Sequence, residues 1–253
     1  MYAIDGRERA PYSAETFMYL NSTLSSISGG SATGIPGELL ALHEAHQLAG
    51  KLPWRDLFQP AIKLCTDGFR VTLAVENALK ANEGRVRASP EMASVFINPR
   101  TNQVVKKGDL VRRLKLGHTL DVISREGVHS FYNGSLTKLI VDEINENGGE
   151  MRQRDFHDYR ALVKEPLEFK LDKQNRAFVP PPPSGGLITG FILKLMSGFN
   201  FSSIKDQNEK SILFYHRLVE AFKHAYAYRA MLGDEDFVDL TQVIISHTYT
   251  HFC

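Results

Sequence analysis

The 253-residue chain predicts an α+β fold, and three stretches carry that expectation. Residues 177–199 read as a strand ended by the prolines 180–183, then a glycine turn, then an apolar helix. Residues 168–171 alternate in polarity as a half-exposed strand does. Residues 212–232 hold the longest helical pattern, with Tyr215, Leu218, Val219, Phe222, Ala225 and Tyr226 spaced to face a core. A hydrophobic content of 43% and a charged content of 23% suit an ordinary globular protein with a substantial core. No repeat, linker or low-complexity tract breaks residues 1–253, which read as one domain.

The prolines explain the order of elements around them. They fix φ and remove four consecutive backbone donors, so residues 180–183 run as an extended connector and a strand must end there. Ser184 is the expected helix N-cap, Gly185 and Gly186 permit close backbone approach, and Gly198 is the expected stop. Leu187, Ile188, Phe191, Ile192, Leu195, Met196 and Phe199 recur between them at helical spacing.

From the start of the chain, Tyr2 to Asp5 reads as a short strand that ends at Gly6, before the charged turn Arg7-Glu8-Arg9. A guanidinium at a strand end is suited to an anion, although a solvated turn has the same composition. The loop from Ser28 to Gly37 spaces Gly29 and Gly34 like a phosphate cradle but lacks the Lys-Ser/Thr pair, which argues against nucleotide binding. Pro36-Gly37 opens a helix carrying Leu39, Leu40, Leu42, His43, His46 and Leu48, and Gly50 closes it. His43 and His46 share a face without an acidic third ligand, so no metal is assigned. Trp54, Leu57, Phe58 and Ile62 form the next apolar face and are expected in a core.

After a mixed helical pattern over 70–90, Val95 to Ile97 reads as a strand paired with Gln103 to Val105 across the Asn98–Asn102 turn. Helices are expected over 110–126 and 136–147, the second stopped by Gly148-Gly149. Strands at 168–171 and 177–179 then return the chain to the prolines. His216 and His224 fall inside the long helix and read as structural.

Lys and Arg total 30 against 29 for Asp and Glu, a net charge of +1, and no basic block interleaves with aromatics, so nucleic acid is excluded as a partner. Two cysteines, Cys65 and Cys253, do not make a disulfide framework. Residues 1–20 contain neither a signal peptide nor a spanning helix, yet Asn21, Asn133 and Asn200 each open a glycosylation sequon.

Several words in the chain resemble, in order and spacing, the large subunit of the gamma-glutamyltransferases, also called glutathione hydrolases. Arg7-Glu8-Arg9-Ala10-Pro11 is similar to their R-E-x-A-P segment, with Arg9 where many members are uncharged. Ile35-Pro36-Gly37 stands for V-P-G, Leu52-Pro53-Trp54 for L-P-W, and Phe131 to Gly134 for F-Y-x-G. Residues 181–186 resemble the P-P-P-S-G-G turn and Gly198 to Phe201 the G-[FY]-N-[FL] segment. Tyr215 to Phe222 and Ala225 to Asp234 complete the set.

The resemblance implies an N-terminal nucleophile hydrolase whose precursor folds as an αββα sandwich and cuts itself before a threonine. That threonine opens a small subunit and attacks the gamma-glutamyl amide, its own freed α-amine acting as base. It implies that Arg7 grips the α-carboxylate of the glutamyl group, for which a planar guanidinium fork is suited and lysine is not. The implied ligands are glutathione and other gamma-glutamyl compounds, the protein partner is a small subunit from the same precursor, and no cofactor is called for. Thr248-Tyr249-Thr250-His251-Phe252 imitates the nucleophile's motif, but Thr250 comes too soon after Phe237, so the nucleophile is expected beyond Cys253. The family's membrane anchor or signal peptide precedes R-E-x-A-P, which makes the chain a large-subunit fragment lacking both ends. The implied location is the outer face of the plasma membrane or the exterior. The alternative is a truncated, non-catalytic paralogue that acts by binding.

Overall fold

The structure, a computed structural model, describes residues 1–240. In chain order these form β1 (Ala3–Asp5), α1 (Glu38–Ala49), α2 (Trp54–Asp67), β2 (Phe69–Arg70), α3 (Leu73–Ala81), α4 (Glu83–Ala88), α5 (Pro90–Phe96) and β3 (Ile97–Asn98). Then come β4 (Gln103–Val104), β5 (Leu110–Val111), α6 (Leu114–Glu126), α7 (His129–Asn133), α8 (Thr137–Glu146) and α9 (Gln153–His157). The last are β6 (Leu162–Lys164), β7 (Leu167–Lys170), β8 (Arg176–Val179), α10 (Gly186–Ser197) and α11 (Gln207–Arg229). The fold is mixed helix and sheet. Among the described residues the strands pair as four two-stranded antiparallel ladders: β1 with β6, β2 with β5, β3 with β4, and β7 with β8.

Two compact units account for these elements, one of Met1–Arg7 with Ala161–Cys253, the other of Glu8–Arg160. In the first, the β7–β8 hairpin presents Phe169 and Val179 to Leu187, Ile188 and Phe191 of α10, with Ala225 of α11 closing the cluster. Gly190 is required there, because a Cβ on it would stand 2.3 Å from the Phe169 ring. The long helix departs from its expected packing. Tyr215, Val219, Phe222 and Tyr226 are exposed, Leu218 is half-buried, and Ala221 and Ala225 are the buried residues. Ala225 packs into the α10 cluster, and Tyr228 meets the Phe191 ring of α10 edge to face at 5.9 Å.

In the second unit, Val122 and Ile123 of α6 and Leu136 pack with Trp54 and Phe58 of α2, while Val71, Leu79, Val86, Val105 and Val111 form another cluster. Leu57, expected with Trp54 and Phe58, is exposed instead. Two expected boundaries also move. Residues 90–96 are helical, since the Ser89 hydroxyl accepts from the Met92 N–H at 3.3 Å and Pro90 occupies the first turn, so the strand begins only at Ile97. Leu110 and Val111 pair with Arg70 and Phe69 as a ladder before α6 begins at Leu114. The β3–β4 hairpin forms with its first strand shifted to Ile97–Asn98, and the strand at residues 3–5 and the helices after Gly37 and Ser135 fall where the pattern places them.

Candidate functional site

Arg7 stands two residues beyond β1, whose three residues pair Ala3 with Lys164, Ile4 with Val163, and Asp5 with Leu162. The ladder stops at Asp5, so side chains must fix the turn after it. The Asp5 carboxylate accepts from the Arg7 backbone N–H at 3.0 Å, and the Arg7 guanidinium donates to the Pro183 carbonyl at 3.3 Å. The charged turn and the proline run, 176 residues apart, are thereby joined.

Local chemistry shapes the proline side. The Ser184 hydroxyl donates to the Pro180 carbonyl at 3.0 Å and accepts from the Gly186 N–H at 3.0 Å. Gly185 rather than Ser184 occupies the N-cap of α10, so Ser184 supplies the capping oxygen from one residue earlier. A Cβ at Gly186 would lie 2.1 Å from the Pro180 carbonyl oxygen, which is why glycine is needed at that turn. The bond between Pro182 and Pro183 is cis.

A cavity of about 380 Å³ opens beside this turn, lined by Arg7, Pro183, Ser184, Arg229, Leu232 and Asp234 among others. It offers guanidinium donors, a hydroxyl and a carboxylate over an apolar floor that includes Ile188. A small zwitterion or carboxylate is the chemistry such a wall recognises. Arg229 and Asp234 stand in the sequence only as letters of a helix-end pattern; their place at the rim depends on where α11 ends.

Lys164 bonds to Pro182, which lines the cavity, and the sequence holds no signal for this lysine beyond a position just before Glu165-Pro166. Its ammonium donates to the Asp5 carboxylate at 3.1 Å and to the Pro182 carbonyl at 3.4 Å, and it also bonds the Glu235 carboxylate. Burial pushes the Lys164 pKa down, but the hydrogen bonds and charges of Glu235 and Asp5 outweigh that and hold it above its ordinary value.

The other singled-out residues fall elsewhere. His43 and His46 are half-buried and meet the Trp54 ring edge to face at 5.3 and 5.5 Å. Among the described residues no group of three or more His, Cys, Asp or Glu could hold a metal ion. His216 and His224 are exposed on α11. Asn21, Asn133 and Asn200 are all exposed. Among the described residues no helix is long and apolar enough to cross a membrane. Thr250 lies outside the described residues.

Comparison with known proteins gives a consistent set. The gamma-glutamyltranspeptidase family model matches residues 1–252. Scoloptoxin SSD14 of Scolopendra dehaani is 38% identical across 97% of this chain and 43% of its own length. Glutathione hydrolase 2 of Arabidopsis thaliana is 35% identical across 96% of this chain and 41% of its own. The crystal structure of Helicobacter pylori gamma-glutamyltranspeptidase superposes with a TM-score of 0.87 at 26% identity, covering 98% of this chain and 71% of that one. The chain thus spans about two fifths of the length of these curated relatives.

Proposed function

The chain belongs to the gamma-glutamyltranspeptidase family, and on that premise we propose that it is the large-subunit segment of a gamma-glutamyltransferase and glutathione hydrolase. The whole enzyme cleaves the gamma-glutamyl bond of glutathione and related compounds and passes the glutamyl group to water, amino acids or peptides. In this proposal the nucleophile is a threonine outside residues 1–253, borne by a small subunit from the same precursor. Residues 1–253 form part of one large-subunit domain, and the αββα sandwich is completed by the strands of that small subunit. No cofactor is required, because the threonine's own α-amine serves as base. The protein works outside the cell, free or anchored at the plasma membrane, with Asn21, Asn133 and Asn200 as candidate glycan sites.

Arg7 is the proposed carboxylate-binding residue. The observation that carries the reading is its position at a 380 Å³ cavity beside the proline–glycine turn, where two separated family words meet. A guanidinium beside a hydroxyl and a carboxylate fits the α-carbon end of a glutamyl group, whose carboxylate and ammonium need opposite partners. The test is to express the full product of the gene carrying this chain and monitor release of the chromogenic amine from a gamma-glutamyl anilide. Saturable turnover, with glutathione as a competing substrate, is expected. A folded product that binds glutathione but never turns it over would point to the non-catalytic alternative.

A further inference from the structure

We infer that Lys164 is the positioning residue of the Arg7 cavity: its ammonium ties together the three segments that form the cavity's polar rim and so determines where the Arg7 guanidinium stands. This rests on the reading of that cavity as the seat of a gamma-glutamyl carboxylate.

Each of the three partners of Lys164 belongs to the rim or is tied to it. Asp5, 3.1 Å away, uses its other carboxylate oxygen to hold the Arg7 N–H. The Pro182 carbonyl, 3.4 Å away, precedes Pro183, whose carbonyl takes the Arg7 guanidinium. Glu235 comes directly after Asp234, which lines the cavity. An ammonium has three donors, and here there are three acceptors from three different segments. Lys164 itself does not line the cavity, so its action on a ligand is indirect.

The rim joins segments far apart in the chain, and Lys164 is a side chain that bonds to all three of them. β1 pairs over three residues and stops before Arg7, and a ladder that short does not fix a side chain two residues past its end. The side chain of Lys164 is 17% exposed and that of Asp5 22%, so this is not a solvated surface pair of negligible worth. Without the ammonium, the Asp5 and Glu235 carboxylates would lose the cation they share, and the segments carrying Arg7 and Asp234 would lose that tie.

The experiment compares Lys164→Met and Lys164→Arg in the full product of the gene, measuring kcat and KM for a gamma-glutamyl anilide. Hydrogen exchange is measured in parallel in peptides spanning residues 4–9 and 181–187. With ground-state binding weakened and the chemical groups untouched, the expected result for Lys164→Met is a KM about tenfold higher with kcat within about threefold, and Lys164→Arg restoring most of KM. Exchange should accelerate in both peptides of Lys164→Met and leave the β7–β8 peptides unchanged. A KM within about twofold of wild type for Lys164→Met overturns the inference while the enzymatic reading stands. If the wild-type protein turns over no gamma-glutamyl compound, that reading fails, and exchange alone decides: unchanged rates in both peptides overturn the role of Lys164. Should Lys164→Met not fold, Glu235→Gln carries the same test from an exposed position, with a KM increase of about threefold expected and no increase overturning it.

Discussion

The Arg7 guanidinium donates to the carbonyl of Pro183 at 3.3 Å, so a charged turn near the start of the chain and a proline run 176 residues later form one edge of one cavity. A carboxylate in the cavity would meet that guanidinium as a planar fork of donors.

Replacing Arg7 by lysine keeps the charge and removes the fork. In the full gene product this should lower kcat/KM for gamma-glutamyl substrates by about 10- to 150-fold, the equivalent of about 1.5–3 kcal/mol for a charge-assisted hydrogen bond. A loss smaller than about threefold would remove Arg7 from the site.

Gly186 and Gly185 separate packing from flexibility at the turn. A methyl group at Gly186 meets the Pro180 carbonyl oxygen at 2.1 Å, a backbone atom that cannot swing aside, whereas one at Gly185 meets nothing within 4 Å. Gly186→Ala should therefore cost about 1–3 kcal/mol of unfolding free energy, and Gly185→Ala less than about 0.5 kcal/mol. Urea titrations of the two variants give the comparison, and equal midpoints would show that the turn yields more readily than its contacts imply.

His43 makes stability depend on pH. Its Nδ1 is buried without a partner, its Nε2 faces the Gln47 amide nitrogen at 3.2 Å, and its ring meets Trp54. Burial lowers its pKa from 6.5; Glu44 opposes that, and the nearby His129 and His46 add to it. Because the folded value is the lower one, the unfolded chain takes up the proton first, so stability is fully present above pH 6.5 and falls as pH drops through the folded pKa. His43→Phe should flatten that decline in the full gene product. An unaltered pH profile of the thermal midpoint would assign the effect to other groups.

A polypeptide of residues 1–253 expressed alone should neither turn over gamma-glutamyl anilides nor remain monomeric. Tyr215, Tyr226 and Phe222 on α11 are 65%, 59% and 42% exposed, and among the described residues the strand ladders are two-stranded. Such surfaces associate unless another chain covers them. Size-exclusion chromatography should show oligomer or loss of soluble protein, reversed by supplying the proposed small subunit. A monodisperse monomer would contradict the stability claim, and turnover abolished by Thr250→Ala would make Thr250 the nucleophile after all.

Exposure of Asn21, Asn133 and Asn200 leaves all three sequons open to modification. Protein from its native source should shift in mobility when treated with an amidase that removes N-glycans. An unshifted band would argue against passage through a glycosylating compartment.

Much of the fold is legible from the chain alone because it is local. Proline geometry, the Gly186 turn, the α10 periodicity and the helix ends at Gly50 and Gly198 depend on neighbours within a few residues, and the structure places them as the sequence predicts. Ser89-Pro90 and Asp206 with Glu209 are local start signals too, but the first also reads as a breaker and the second lies ahead of the apolar pattern, so α5 extends over an expected strand and α11 begins before Ile212. Register and facing are decided elsewhere. Leu110 and Val111 suit a helix by pattern but form a strand because Phe69 and Arg70 offer a ladder, and it is tertiary packing, for Ala225 the α10 cluster, that leaves Ala221 and Ala225 buried while Tyr215 and Phe222 are exposed. Lys164 shows the limit most plainly. Nothing near it in the chain marks it, since the three groups that give it a role, Asp5, Pro182 and Glu235, come within reach of one ammonium only when distant segments fold together.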